Sequence, residues 1–128
     1  MLITFQGNIK KMTSTTTLNV SPVTPISVSE SKEGGVSICD TIHNNGGYRD
    51  IQSSLMTLLR DLKKAGLNMV KFTTPYGITY INIHPDIAFS VNYSAGGSRL
   101  GYPTHNNGGY KISEPKSVVI KRISEAMS

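Results

Sequence analysis

The chain has 128 residues, with thirteen Lys and Arg against eight Asp and Glu for a formal charge of +5, one cysteine and no tryptophan. That length suits one domain around one hydrophobic core, and a lone cysteine excludes an intrachain disulfide, so a cytoplasmic setting is expected. No stretch approaches the 18 apolar residues of a membrane span, and Leu2 to Asn8 has neither a charged leader nor a sustained apolar run, which argues against a signal peptide.

Ile3, Phe5 and Ile9 alternate loosely and predict a first strand. Thr13 to Thr17 is too polar to enter a core, and Leu18 to Val28 is punctuated by Pro22 and Pro25. Because proline supplies no ladder donor, residues 1–35 read as an extended N-terminal arm with edge strands, of the kind that lies across a neighbouring subunit in a homo-oligomer. Residues 36–128 read as a single α+β domain. Val36 to Cys39 is a short strand, and Ile51, Leu55, Leu58, Leu59 and Leu62 form one apolar stripe at helical period from Asp50 to Ala65. Asp50 fits its N-cap, Lys63 and Lys64 its last turn, and Gly66 its left-handed stop.

An antiparallel meander is predicted next, over 69–74, 77–84 and 87–94, with Val70, Phe72, Ile81 and Ile83 inward. Lys71, Thr73, Tyr80, Asn82, His84, Ser90 and Asn92 would face water. Residues 95–110 carry no apolar period and read as a long binding loop. A final helix starts after Ser113, with Glu114 and Pro115 in its first turn. The fold class is α+β, an antiparallel β-sheet of about four or five strands with two α-helices packed on one face.

One motif stands above this background. His43-Asn44-Asn45-Gly46-Gly47-Tyr48 recurs as His105-Asn106-Asn107-Gly108-Gly109-Tyr110, 62 residues later, and each copy precedes a cation, Arg49 or Lys111. Asn and Gly reach left-handed backbone angles at little cost and can turn successive N–H groups inward as a nest for an anion. A helix entrance one or two residues later would add its positive end. Arg49, Lys111 and Arg99 are the expected phosphate contacts, with Tyr48, Tyr102 and Tyr110 as stacking surfaces and His43 and His105 as hydrogen-bonding groups. The plain alternative is a pair of Asn-Gly turns at strand ends. The segments beyond the loops diverge, so an internal duplication would share little more than the loop.

Other chemistry is weaker. The three histidines are widely separated and lack Cys or acidic neighbours at ligand spacing, so no metal is assigned. Cys39 sits in an apolar strand, no serine occupies a Gly-x-Ser-x-Gly elbow, and no base is positioned, so neither an enzyme nor a cofactor is expected. The charge balance favours anionic partners, but the basic residues come only in pairs such as Lys10-Lys11, Lys63-Lys64 and Lys121-Arg122, which disfavours nucleic acid.

The size, the basic balance, the helix followed by a meander, and the Gly/Asn loop before a terminal helix resemble, over residues 36–128, phage proteins that sequester nucleotide immune signals, such as Thoeris anti-defence proteins. The resemblance is one of layout and transfers no residue roles. It implies a non-enzymatic, oligomeric sponge for a nucleotide or cyclic nucleotide-type signal, acting in the host cytoplasm if phage-encoded. A protein-binding inhibitor or interaction module is the alternative, and RNA or DNA binding through the polar sheet face a third.

Overall fold

Ile3 and Phe5 alternate with Thr4 and Gln6, so β1 (Leu2–Ile9) buries one face and leaves the other wet. The computed structural model describes residues 1–9, 12–40, 47–103 and 109–128. β1 pairs antiparallel with β2 (Met12–Asn19), which contains the threonine run. β-Branched threonine suits a pleated, half-wet edge strand, so the run belongs to the sheet after all, with Leu18 at its buried end. Pro22 and Pro25 fall between strands, and β3 (Ile26–Ser31) is central, flanked by β4 (Val36–Asp40) and β6 (Gly77–Asn82). Residues 1–35 thus contain three strands, and Ile3, Phe5, Leu18, Ile26 and Val28 on them, with Val20 just beyond β2, enter the core in place of the expected arm.

The expected first helix is shorter. α1 (Leu55–Lys64) is capped by Ser54, whose Oγ accepts from the Thr57 N–H at 3.2 Å. Asp50 is not the cap: it takes a left-handed φ of 50° and accepts from Asn8 Nδ2 at 2.8 Å, turning the chain before the helix begins. β5 (Met69–Thr74) pairs with β6 through the Pro75-Tyr76 turn, but the third strand of the expected meander, β7 (Ser90–Ser94), pairs with β8 (Gly97–Gly101) instead. β8 also pairs with β9 (Tyr110–Ile112), so Gly97–Gly101 and Tyr110, within the stretch expected to be one long loop, are strand. Of the residues expected to face water, Asn82 is buried. α2 (Lys116–Ala126) closes the chain, with Pro115 at its N-cap in place of Ser113.

Among the described residues there are nine strands in three sheets, β1-β2, β4-β3-β6-β5 and β7-β8-β9, where one sheet of four or five strands was expected. The α+β class stands. Strand-forming segments rich in Thr, Ser and Gly bury too little apolar surface to show a period in the sequence. α1 packs on β3 and β5, α2 on β5, β7 and β8, and the apolar side chains form two clusters, one under each helix.

The two clusters follow from a duplication that extends well beyond the loop. Thr16, Asn19, Pro22, Ser27, Val28 and Ser31 recur 63 residues on as Thr79, Asn82, Pro85, Ser90, Val91 and Ser94. Three residues separate Ser31 from Gly35 where two separate Ser94 from Gly97, so Gly34-Gly35 and the six-residue motif recur at a spacing of 62 as Gly96-Gly97 and its second copy. Each half therefore runs through four strands, the motif, a return strand and a helix. Tyr48 bridges to Ile38 and Arg49 to Asn8, which gives the first half a counterpart of β9. The halves meet where β3 of the first pairs with β6 of the second.

Glu114 joins the second helix to the sheet. Its carboxylate accepts from Arg122 Nη1 at 2.8 Å and from the Thr73 N–H at 2.8 Å, while Arg122 also donates to the Lys71 carbonyl and lies over the Phe72 ring. The Arg122 guanidinium first, and then the Thr73 N–H, hold the Glu114 carboxyl below its ordinary 4.5 against the opposing effect of burial. A carboxyl depressed on folding stabilises above its unfolded value and loses that contribution as pH falls through the folded one. The melting-temperature gap between wild type and Glu114→Gln is therefore expected to be widest near neutrality and to close below pH 4.5. A gap independent of pH would count against the ion pair as its source.

Candidate binding site at the paired hairpin stems

Each motif copy connects two antiparallel strands. β4 leads into the first, and the chain returns at Gly47, with Ile38 and Tyr48 exchanging backbone hydrogen bonds of 2.9 and 2.7 Å. β8 leads into the second, and the chain returns at Gly109, with Tyr110 opposite Leu100. Gly47 and Gly109 have φ of 80° and 94°, and both backbones pass so close to the opposite strand that a Cβ on Gly47 would lie 2.6 Å from the Ile38 carbonyl oxygen. His43, Asn44, Asn45, Gly46, His105, Asn106, Asn107 and Gly108 lie outside the described residues.

The expected helix entrance is not beside the loops. Tyr48 and Tyr110 lead into return strands, and the helices begin only at Leu55 and Lys116, so their dipole ends are removed from the motif. The physical reason is the β-pairing of the residue just after each motif, which extends the backbone where a helix was read.

The tyrosines serve as struts. Tyr48 is buried edge-on against Phe5, with centroids 5.3 Å apart, and burial and the nearby Asp40 push its phenol up. Tyr102 is buried, donates to the Asn82 carbonyl at 2.7 Å, and meets Tyr110 edge-to-face at 6.5 Å. Burial raises both phenols well above their ordinary range, so they act as neutral hydrogen-bonding groups, and the buried Tyr102 ring has no face to offer a ligand. Tyr110 accepts from Ser27 Oγ at 2.7 Å and lies against the Cys39 thiol, which burial holds in its neutral form. Ser27 and Cys39 belong to β3 and β4, and β4 runs directly into the first motif. The second motif's stem is thereby fastened to the strand that carries the first.

The cations divide. Arg49 and Lys111 are exposed, whereas Arg99, across the β8–β9 ladder from Lys111, is partly buried and donates weakly to the Gly109 carbonyl at 3.4 Å. Beside this stem lies an open cleft of about 240 Å³ lined by Ser29, Ser37, Thr79, Tyr76, Tyr110 and Lys111, with Glu30 also on its wall. Its serines were absent from the sequence-based set. Their signal was the alternation of Ser27, Ser29 and Ser31, which places three hydroxyls on one face of β3. Among the described residues no three His, Cys, Asp or Glu side chains gather to hold a metal, and no helix is long and apolar enough to cross a membrane. The chain matches no protein-family model, no curated protein and no solved structure.

Proposed function

We propose that the chain is a non-enzymatic protein-binding module of the inhibitor type, which presents its two motif-bearing stems and the serine-lined cleft to a partner with an acidic surface. The observation that carries this reading is the fastening of Tyr110 to Ser27 and Cys39, because it makes both motif hairpins spring from one base. A base already joined by the Ser27–Tyr110 contact loses little conformational freedom on docking, which favours affinity. The cleft is smaller than the roughly 300–1,000 Å³ of most small-molecule sites, and it mixes Glu30 with Lys111 as interface rims do. A charge of +5 steers an acidic partner toward it in the cytoplasm, that of a host if the chain is phage-encoded.

Arg49→Glu combined with Lys111→Glu is expected to weaken capture of a copurifying polypeptide by about tenfold or more, roughly 1.4 kcal/mol, mainly through slower association. Surface plasmon resonance at two salt concentrations measures this. Equal association rates for the wild type and the double variant would remove the assignment.

A second reading has one observation in its favour: Lys111 lines the same cleft as the hydroxyl-bearing residues Ser37, Thr79 and Tyr76, and an ammonium with hydroxyl donors suits phosphate oxygens. The chain would then sequester a nucleotide or cyclic nucleotide-type signal as an oligomeric sponge. Mass spectrometry of small molecules released by heat from the purified protein separates the two readings. A nucleotide in that fraction favours sequestration, and a copurifying polypeptide without one favours the protein partner.

A further inference from the structure

The joint between the two halves is a template for a second, unmade joint. Within the chain, β3 lies at the edge of the first half and pairs with β6 at the edge of the second. Their counterparts in the duplication are β7 and β2. Among the described residues each of these has one strand neighbour only, β8 and β1 respectively, so each leaves an open row of backbone groups. We infer that β7 of one copy pairs antiparallel with β2 of the next, repeating between copies the β3–β6 joint.

The template fixes the register. Ser27 faces Ile81, Glu30 faces Ile78 and Ser31 faces Gly77 within the chain. Transferred by the 63-residue spacing, Ser90 faces Leu18, Tyr93 faces Thr15 and Ser94 faces Ser14 of the next copy. Four features agree with that match. Neither Met12–Asn19 nor Ser90–Ser94 contains a charge or a proline, the devices that normally protect an edge strand. Tyr93, 81 % exposed on β7, would gain a cross-strand surface of threonines. Ser14 Oγ is buried without a hydrogen-bond partner among the described residues, and the register brings a serine hydroxyl opposite it. Finally, the Ser27–Tyr110 hydrogen bond that crosses the internal joint has both members retained in the other halves, as Ser90 and Tyr48. Ser90 is exposed, and the Tyr48 hydroxyl makes no hydrogen bond among the described residues.

Because each copy contributes two different edges, the contact is head-to-tail, and it closes as a ring or runs on as a filament. Sedimentation velocity on the full chain over a concentration series tests this. Wild type is expected to show species heavier than the single chain of 13.9 kDa. Thr15 and Tyr93 are both exposed, so substitution leaves the fold of each copy intact. Thr15→Lys with Tyr93→Lys sets like charges opposite each other and is expected to return the mass to one chain, while Thr15→Lys with Tyr93→Glu restores assembly. The two variants change the same positions, so any shared folding defect cancels in the comparison. Wild type at single-chain mass throughout overturns the inference, as do equal masses for the two double variants. Loss of assembly on Thr15→Lys that Tyr93→Glu fails to rescue would assign the contact to β2 against β2 and overturn it too.

Discussion

Asn82→Leu is expected to destabilise the fold by about 3 kcal/mol or more, seen as a lower urea midpoint with little change in slope. Asn82 has no exposed surface, and its side chain is anchored by three hydrogen bonds: Nδ2 donates to the carbonyls of Pro22 at 3.0 Å and Thr24 at 2.8 Å, and Oδ1 accepts from the Asn68 N–H at 2.9 Å. Leucine keeps the branched shape but is bulkier, and it leaves three part-buried backbone groups without this partner, each costing up to about 1–3 kcal/mol before relaxation. Asn82 sits on β6, whereas residues 22–24 precede β3, so the same contacts hold the first half against the second. Its counterpart in the duplication, Asn19, is exposed and, among the described residues, its side chain accepts only from the N-terminal ammonium at 3.2 Å. Asn19→Leu is therefore expected to stay within about 0.5 kcal/mol of wild type. Equal costs at the two positions would mean that burial and bonding at Asn82 do not govern the joint.

The contrast between these asparagines also explains what the sequence conveys and what it withholds. Leu55, Leu58 and Leu62 all lie inward on α1 as their spacing predicts, because a helix that buries one stripe must repeat its apolar residues. Val70, Phe72, Ile81 and Ile83 are likewise buried as expected. The threonines of β2 and the Gly-Ser-Arg-Leu-Gly of β8 give no such signal, since their strands are held by ladder hydrogen bonds and neighbours distant in the chain. The duplication was visible only at the loop, where both copies are identical. Elsewhere it survives in scattered residues such as Thr16 and Thr79 or Pro22 and Pro85, while apolar positions vary freely within their class. At the candidate site, the left-handed glycines and the exposed Arg49 and Lys111 could be read from residue type. That Tyr102 would be spent inside the protein could not, because a tyrosine suits a core and an interface equally well.

Gly109→Ala tests whether the second hairpin's stem must run as close to β8 as it does. A Cβ at this position would run into the Leu100 carbonyl oxygen and the Gly101 Cα, both backbone atoms of the paired strand, at a residue whose φ is 94°. The dihedral alone costs about 1–2 kcal/mol in an L-residue, and the contact forces the return strand outward. Gly96 has a φ of 80° but nothing within 4 Å of an added Cβ, so Gly96→Ala isolates the dihedral cost. Gly109→Ala is expected to lose about 3 kcal/mol in chemical denaturation against about 1 kcal/mol for Gly96→Ala. The displaced strand would also carry Tyr110 away from Ser27, since the 2.7 Å hydrogen bond begins one residue beyond the substitution. With no tryptophan in the chain, tyrosine fluorescence reports that change directly. If the paired hairpins bind a partner as one base, Gly109→Ala should reduce capture even under conditions where both variants remain fully folded. Equal capture by Gly109→Ala and Gly96→Ala under those conditions would separate the second stem from the binding surface.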